Sequence, residues 1–452
     1  MYGPSVDRTD SSDLQNYYDQ TRYLSSSNFS SSGSNIPLST ATNSEDGGVP
    51  YPAIPTTRRP HFGDRRTEFV DEYADEKSRK NNRSKWILVG LAAFFLVALV
   101  GTVVGVVLTR NAKSVPSSSN SSSSSGGSVS GDPSQFTKDP KLKQSFWGIA
   151  YTPESTLYPT CGAKLSDIVT DIQLLSQLTT RIRLYGADCN ATALVLDAIQ
   201  RTKVNMTVYI ANYPLSNDNG TAYNRQKTAI QNALTTFGTD HVGGVTVGNE
   251  FMLDYLSDNG GASPNSATGN TGAAILTAFI NDTKSMLSDI NLGSLKIGNA
   301  DAGAYFNNLV LQDVDYGMAN VHPWFANVSI DQAAGWTHDF FQNTDVALAQ
   351  KLPNKPSMSI AETGWPTKSS DAGNASNGPS TASTANLQKF LDTFVCQANA
   401  NGTEYFFFEY FDETWKDAVY GGVEAWWGLF NSDRTLKNID IPDCSQSSTT
   451  SS

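Results

Sequence analysis

Val204-Asn-Met-Thr-Val-Tyr-Ile-Ala211, Asn224-Arg-Gln-Lys-Thr-Ala-Ile-Gln-Asn-Ala-Leu234 and Val242-Gly-Gly-Val-Thr-Val247 follow one another closely along the chain. The first and third are short apolar, β-branched and aromatic runs with the character of strands. The middle one has the three- and four-residue apolar spacing of a helix. Two strands joined through a helix make a parallel crossover unit. Working outward, runs of the same strand character occur at 146–152, 180–185, 295–299, 316–321, 357–361 and 405–410, and helical spacing at 165–175, 191–199, 273–287, 339–348 and 384–398. Eight strands alternating with helices across 144–444 predict an α/β chain whose strands close into a (β/α)8 TIM barrel. No Gly-x-Gly-x-x-Gly follows the first strand, which argues against a dinucleotide-binding open sheet.

Outside 144–444 the chain changes character. Residues 1–85 are rich in Ser, Asn, Asp and Arg and cannot bury enough apolar surface to offset chain entropy, so they read as a disordered cytoplasmic tail. Residues 86–108 form an uncharged run longer than the ~20 residues a helix needs to cross a bilayer. Lys77, Arg79, Lys80, Arg83 and Lys85 precede it and only Arg110 and Lys113 follow, a bias that leaves the N-terminus cytoplasmic. The expectation is a single-pass type II cell-membrane protein, held in the lipid bilayer by 86–108, with its large domain extracellular. A cleaved signal peptide is the competing reading, but the run starts too far in and is too long. The Ser/Gly-rich stretch 109–143 reads as a flexible stalk, and 445–452 as a disordered end.

The cysteines and acceptor sites agree with an extracellular domain. Cys161, Cys189, Cys396 and Cys444 are an even set without Cys-x-x-Cys spacing, which suggests two disulfides rather than a metal site. Of three possible pairings, Cys161 with Cys189 and Cys396 with Cys444 closes the shortest loops. Asn-x-Ser/Thr glycosylation acceptors lie at Asn190, Asn205, Asn219, Asn281, Asn327, Asn374 and Asn401, with another at Asn120; two more, Asn28 and Asn82, fall on the cytoplasmic side. Of the net charge of -12, residues 1–131 hold 13 Lys and Arg against 12 Asp and Glu, leaving 19 against 32 and a charge of -13 beyond them. That field repels polyanions, so no nucleic-acid partner is expected.

Active sites of such barrels form where strands end. Here those ends are polar: Tyr151; Arg183 and Tyr185; Asn249 and Glu250; Asp301; His322 and Trp324; Glu362 and Trp365; Glu413 and Lys416. Glu250 and Glu362 close otherwise apolar strands, where a carboxylate costs solvation unless it is paired or used. Two carboxyls on different strands suit glycosidic bond cleavage, which needs a proton donor and a second carboxylate. Strand-end ion pairs with residues such as Arg183 are the alternative. The Trp and Tyr rings nearby suit the apolar faces of sugars, although any one of them could equally be core.

Val247-Gly-Asn-Glu250, Ala361-Glu-Thr-Gly-Trp-Pro366, Arg183-Leu-Tyr-Gly186 and Phe408-Glu-Tyr-Phe-Asp-Glu-Thr-Trp-Lys416 together resemble glycoside hydrolase family 17. With the N-terminal apolar run, the chain is similar to fungal membrane-anchored glucan endo-1,3-β-glucosidases. The resemblance implies retaining endo-hydrolysis of β-1,3-glucan on a barrel facing the cell wall. Glu250 would be the acid/base and Glu362 the nucleophile, with carboxyls ~5 to 5.5 Å apart. It further implies that Asn249 holds a sugar hydroxyl, that Arg183 keeps Glu362 ionised, and that Glu413 and Lys416 line the donor side. Tyr151, Tyr185, Asp301, Trp324 and Trp365 are further candidate substrate contacts.

His322 stands where many relatives place a tyrosine; it could donate to Glu362 or be a core histidine. Cofactor-free catalysis by a monomer is expected. Two other readings remain: a glucan transglycosylase sharing the same covalent intermediate, and a non-catalytic wall tether or sensor.

Overall fold

The computed structural model describes residues 131–261 and 263–444. The expected cytoplasmic tail, the apolar run 86–108 and most of the expected stalk lie outside the described residues, among which no helix is long and apolar enough to cross a membrane. Eight parallel strands close into a barrel in chain order: β1 (Gly148–Ala150), β2 (Arg181–Arg183), β3 (Thr207–Asn212), β4 (Val242–Asn249), β5 (Ile297–Ala302), β6 (Tyr316–Asn320), β7 (Ser357–Thr363) and β8 (Tyr405–Phe407). Every expected strand is present. Closure comes from β1 pairing with β8, Gly148 opposite Phe406.

The connecting helices are α1 (Leu165–Leu175), α2 (Ala191–Thr202), α3 (Thr221–Phe237), α4 (Phe251–Asp258), α5 (Ala267–Asp289), α6 (Asn308–Gln312), α7 (Ala333–Phe340), α8 (Ala347–Ala349), α9 (Thr384–Ala400) and α10 (Trp415–Tyr420). Their starts are chemically marked in places: Ser266 accepts from the N–H of Gly269 at the head of α5, and Ser383 from that of Asn386 at the head of α9. The helix expected over 339–348 begins earlier, at Ala333, and passes through a π-helical turn, Phe341–Val346. Helices α4, α6 and α10 are too short for a periodicity window to reveal.

Below the mouth the barrel is filled by rings. Tyr209 meets Tyr316 at 5.7 Å and Phe406 at 5.4 Å between centroids, both edge-on. Tyr316 fits because its register partner on β5 is Gly298 and because β4 passes close by at Gly244; a Cβ at either would run into the Tyr316 side chain. This packed floor forces polar groups upward to the strand ends.

Two disulfides, Cys161–Cys189 and Cys396–Cys444, match the pairing of shortest loops. The second secures the chain's last described turn beneath the barrel. Ser145, just ahead of β1, donates its hydroxyl to the Pro442 carbonyl (2.6 Å) and accepts from the Cys444 N–H (3.2 Å). The domain also begins earlier than Gln144. Gln173 of α1 donates to the Pro133 carbonyl and Gln177 accepts from the Asp139 N–H, so part of the expected stalk is packed against α1.

Candidate active site

Strand β4 ends at Asn249, and Glu250 leaves it in the left-handed conformation (φ 54°) before α4 begins. Asp301, at the end of β5, accepts from the N–H groups of Met252 (2.9 Å) and Leu253 (3.4 Å), satisfying the head of α4. Asp301 is fully buried. It therefore holds the helix that carries on from Glu250, and is not placed to touch a sugar.

On the opposite side of the mouth, β7 presents Glu362. His322 Nε2 lies 3.0 Å from Glu362 Oε2 and Arg183 Nη1 lies 3.4 Å from Oε1. Arg183 is 1% exposed; it also donates to Asn249 Oδ1 (2.8 Å), the Ala361 carbonyl (3.1 Å) and Asn320 Oδ1 (3.3 Å). Asn320 then donates to Glu250 Oε1 at 2.9 Å. One buried guanidinium and one buried amide thus link the two carboxyls across four strands.

The environments of the two acids differ in sign. Burial pushes the Glu250 carboxyl well above the usual range, the Glu362 charge adds to this, and the Asn320 donor only partly opposes it. Burial acts on Glu362 in the same direction, but the hydrogen bond from His322 and the charges of Arg183 and His322 outweigh it and hold that carboxyl below its ordinary value. With the two carboxyls shifted in opposite directions, the pair favours a proton on Glu250 and a charge on Glu362, the division of labour required of an acid and a nucleophile.

The segment that follows β8 and the start of α10 contribute a second charged group. Lys416 Nζ lies 2.8 Å from Glu409 Oε2 and 3.5 Å from Glu413 Oε2, and Trp415 Nε1 donates to Glu413 at 2.8 Å. Burial opposes the Lys416 charge, yet Glu409 and Glu413 more than offset it and raise its pKa. Glu413 is 4% exposed and committed to these partners. Burial lifts Glu424 to about 7, with Lys416 opposing. Buried polar atoms without a hydrogen bond among the described residues gather here: Arg183 Nε, His322 Nδ1, Glu409 Oε1 and Glu424 Oε1. Such groups are what ligand hydroxyls satisfy.

Other expected contacts sit deeper. Tyr151 donates to Asp171 (2.8 Å) and is 1% exposed. Trp365 is fully buried, donating to the Thr381 carbonyl and meeting Trp324 edge-on at 5.4 Å. The geometry makes Tyr151 and Trp365 core and Trp324 a buried support, because neighbouring loops cover their strand ends. Tyr185 does reach the site, stacked under Arg183 at 4.4 Å. Asn320, Glu409 and Glu424 join the site although strand-end chemistry alone does not single them out. Asn320 carries a readable sign, a polar residue two before His322 and so on the same strand face.

Comparison with known proteins agrees with this geometry. Residues 148–428 match the BtgE/BtgC glycoside hydrolase domain. A putative glucan endo-1,3-beta-glucosidase btgC of Aspergillus niger is 37% identical over 319 residues, covering 67% of this chain and 44% of that protein. A probable enzyme of the same name from Aspergillus flavus is 34% identical over 404 residues, covering 82% and 56%. The chain thus spans about half the length of the curated relatives it matches. Among solved structures, a glycoside hydrolase family 17 beta-1,3-glucanosyltransferase from Rhizomucor miehei superposes with a TM-score of 0.53 at 25% identity, over 67% of this chain and 99% of that one. An endo-laminarinase from Formosa shares the fold, with a TM-score of 0.52 at 18% identity, over 67% and 92%. With the family match covering the whole barrel from β1 past β8, the chain belongs to the BtgE/BtgC glycoside hydrolase family.

Proposed function

We propose that the barrel cleaves β-1,3-glucan internally with retention of configuration. The observation that carries this reading is the opposite electrostatic setting of Glu250 and Glu362. A Glu362 oxygen attacks the anomeric carbon, the bond to the departing chain breaks, and Glu250 gives its proton to the leaving oxygen. Glu250, now ionised, takes a proton from water; the resulting attack on the same carbon breaks the ester and frees Glu362. Arg183 and His322 keep Glu362 charged and oriented, and Asn249, fixed by Arg183, is available to a hydroxyl of the bound sugar. The β-1,3-glucan substrate and internal attack are supported by the names of the Aspergillus relatives.

The test is incubation of the full chain with a reduced β-1,3-gluco-oligosaccharide, following product mass and anomeric configuration. Shorter β-configured products are expected, with loss of turnover by about a thousandfold in E250Q and E362Q. Products of α configuration, or turnover surviving both substitutions, would sink the reading. Similarity to a glucanosyltransferase favours a second outcome, in which another glucan chain replaces water and products longer than the substrate form.

The extracellular, membrane-anchored placement belongs to the same proposal. It is supported by the basic flank of residues 86–108 and by exposure of the acceptor asparagines: Asn190, Asn205, Asn219, Asn281, Asn374 and Asn401 are exposed and Asn327 half-buried.

A further inference from the structure

Beyond α10 the chain turns back along the exit of β8. Glu409 donates its N–H to the Trp427 carbonyl (3.2 Å), Leu429 to the Glu409 carbonyl (2.9 Å) and Phe430 to the Tyr410 carbonyl (3.0 Å), so residues 427–430 run beside 409–412. Trp427 is fastened on both sides. The Trp426 carbonyl accepts from the Thr367 N–H at 2.9 Å and from the Thr367 hydroxyl at 3.0 Å. The Gly428 N–H donates to Asp412 Oδ1 at 3.1 Å, and a Cβ on Gly428 would overlap the Phe411–Asp412 backbone. One ammonium joins the two fastenings: Lys437 Nζ donates to Asp412 Oδ1 at 2.6 Å and to Thr367 Oγ1 at 2.8 Å. Lys437 is 7% exposed, and the charged groups facing it are Asp412, Glu409 and Lys368. It lies beyond the stretch 148–428 that the family match covers.

The residue so held reaches toward the nucleophile. Trp427 is fully buried and its Nε1 has no hydrogen-bond partner among the described residues, so backbone and packing alone place the indole. It meets the His322 ring edge-on at 5.1 Å, while Phe408 at 5.3 Å and Phe325 at 5.7 Å close round the same imidazole. His322 Nδ1 also lacks a partner among the described residues. The plane of the imidazole is therefore set by these rings and by the contact of Nε2 with Glu362. A hydrogen bond weakens steeply as its donor tilts off axis, so a loosened wall would cost Glu362 the support of His322.

We propose that Lys437 is a positioning residue for the reaction, bracing Trp427 so that His322 stays aimed at Glu362. This rests on the glucanase reading above, in which Glu362 must be ionised to attack. Glu362 faces Arg183 and Tyr185 at the end of β2, His322 beyond β6, Glu250 beyond β4 and Glu424 beyond α10, and Lys437 Nζ bonds to none of them. The brace acts through the rings: without it the His322 donor weakens, the charged form of Glu362 loses stabilisation, and the acid limb of activity moves to higher pH.

The test is kcat/KM against pH for the full chain on laminarihexaose, in K437M, H322A and K437M/H322A. K437M should move the acid limb up by about 0.5 pH unit or more and add nothing to the shift that H322A causes alone. An acid limb that stays in place in K437M overturns the brace. A further shift in the double variant also overturns it, because the through-space loss of a positive charge acts with or without His322. Should the unpaired Asp412 unfold K437M, W427F puts the same question: its acid limb must also move up, and an unmoved limb overturns the brace. Histidine-selective NMR reads the imidazole without turnover. The resonance missing from H322A should shift in K437M; if it stays in place, or moves together with those of His241 and His338, the brace is overturned. If the unsubstituted chain cuts nothing, the glucanase reading fails, and the spectra still decide whether Lys437 sets the His322 ring.

Discussion

Asn320 donates to Glu250 across 2.9 Å and so favours its ionised form, against the burial and the Glu362 charge that disfavour it. Turnover requires Glu250 protonated and Glu362 ionised. Activity should therefore fall at high pH as Glu250 loses its proton and at low pH as Glu362 gains one. Removing the Asn320 donor in N320A raises the Glu250 pKa further, so the alkaline limb moves to higher pH. H322A removes the donor that most stabilises the Glu362 charge, so the acid limb also moves to higher pH, with a rate loss of about ten- to a hundredfold. Profiles of kcat/KM against pH for the two variants would check both directions; limbs that stay in place would show that these contacts do not tune the pair. At this scale the two acids are legible in the sequence because a carboxylate ending an apolar strand loses solvation that only a partner or a reaction can offset. Tyr151 and Trp365 are not legible as core, because strand position says which residue points into the mouth, whereas burial depends on loops folding over it from elsewhere.

Elements are legible where their period runs long enough. The eight strands and the long helices α1, α3, α5 and α9 follow from alternation of apolar runs with helical spacing. Helix α4 escapes because it is eight residues long and starts from Glu250 in a left-handed conformation, with its cap supplied by Asp301 on another strand. No local pattern encodes such a cap. The link between β7 and β8 is similarly tertiary: a Cβ on Gly364 would overlap the Phe408 carbonyl oxygen, backbone that cannot swing aside. G364A should cost about 3 kcal/mol of unfolding free energy, measured by denaturant titration, and should lower activity by displacing Glu362 two residues upstream. The Cys396–Cys444 bridge closes a 48-residue separation, for which chain entropy gives about 4 kcal/mol. C396A/C444A should lose stability on that order in the same titration while leaving the distant carboxyl pair in place.

At the scale of the molecule, a buried acid far from the barrel mouth bears on stability. Asp345, in the π-helical turn, is fully buried, neither of its oxygens is hydrogen-bonded among the described residues, and burial pushes its pKa well above the ordinary value. A carboxyl whose folded-state pKa is raised contributes stability that is complete below the unfolded-state value and lost as pH rises through the folded one. D345N abolishes that loss, so its melting temperature should exceed that of the unsubstituted chain at pH 7 and approach it at pH 4. Equal differences at both pH values would mean that folding leaves the Asp345 pKa unshifted.

The junction of Ser145 with Pro442 and Cys444 places both ends of the described domain at the pole where β1 begins, away from the strand ends that hold Glu250 and Glu362. A pulling force applied between those ends would load the disulfide and a few hydrogen bonds at the base and pass around the barrel. The catalytic mouth should keep its shape under tension until that basal knot gives way.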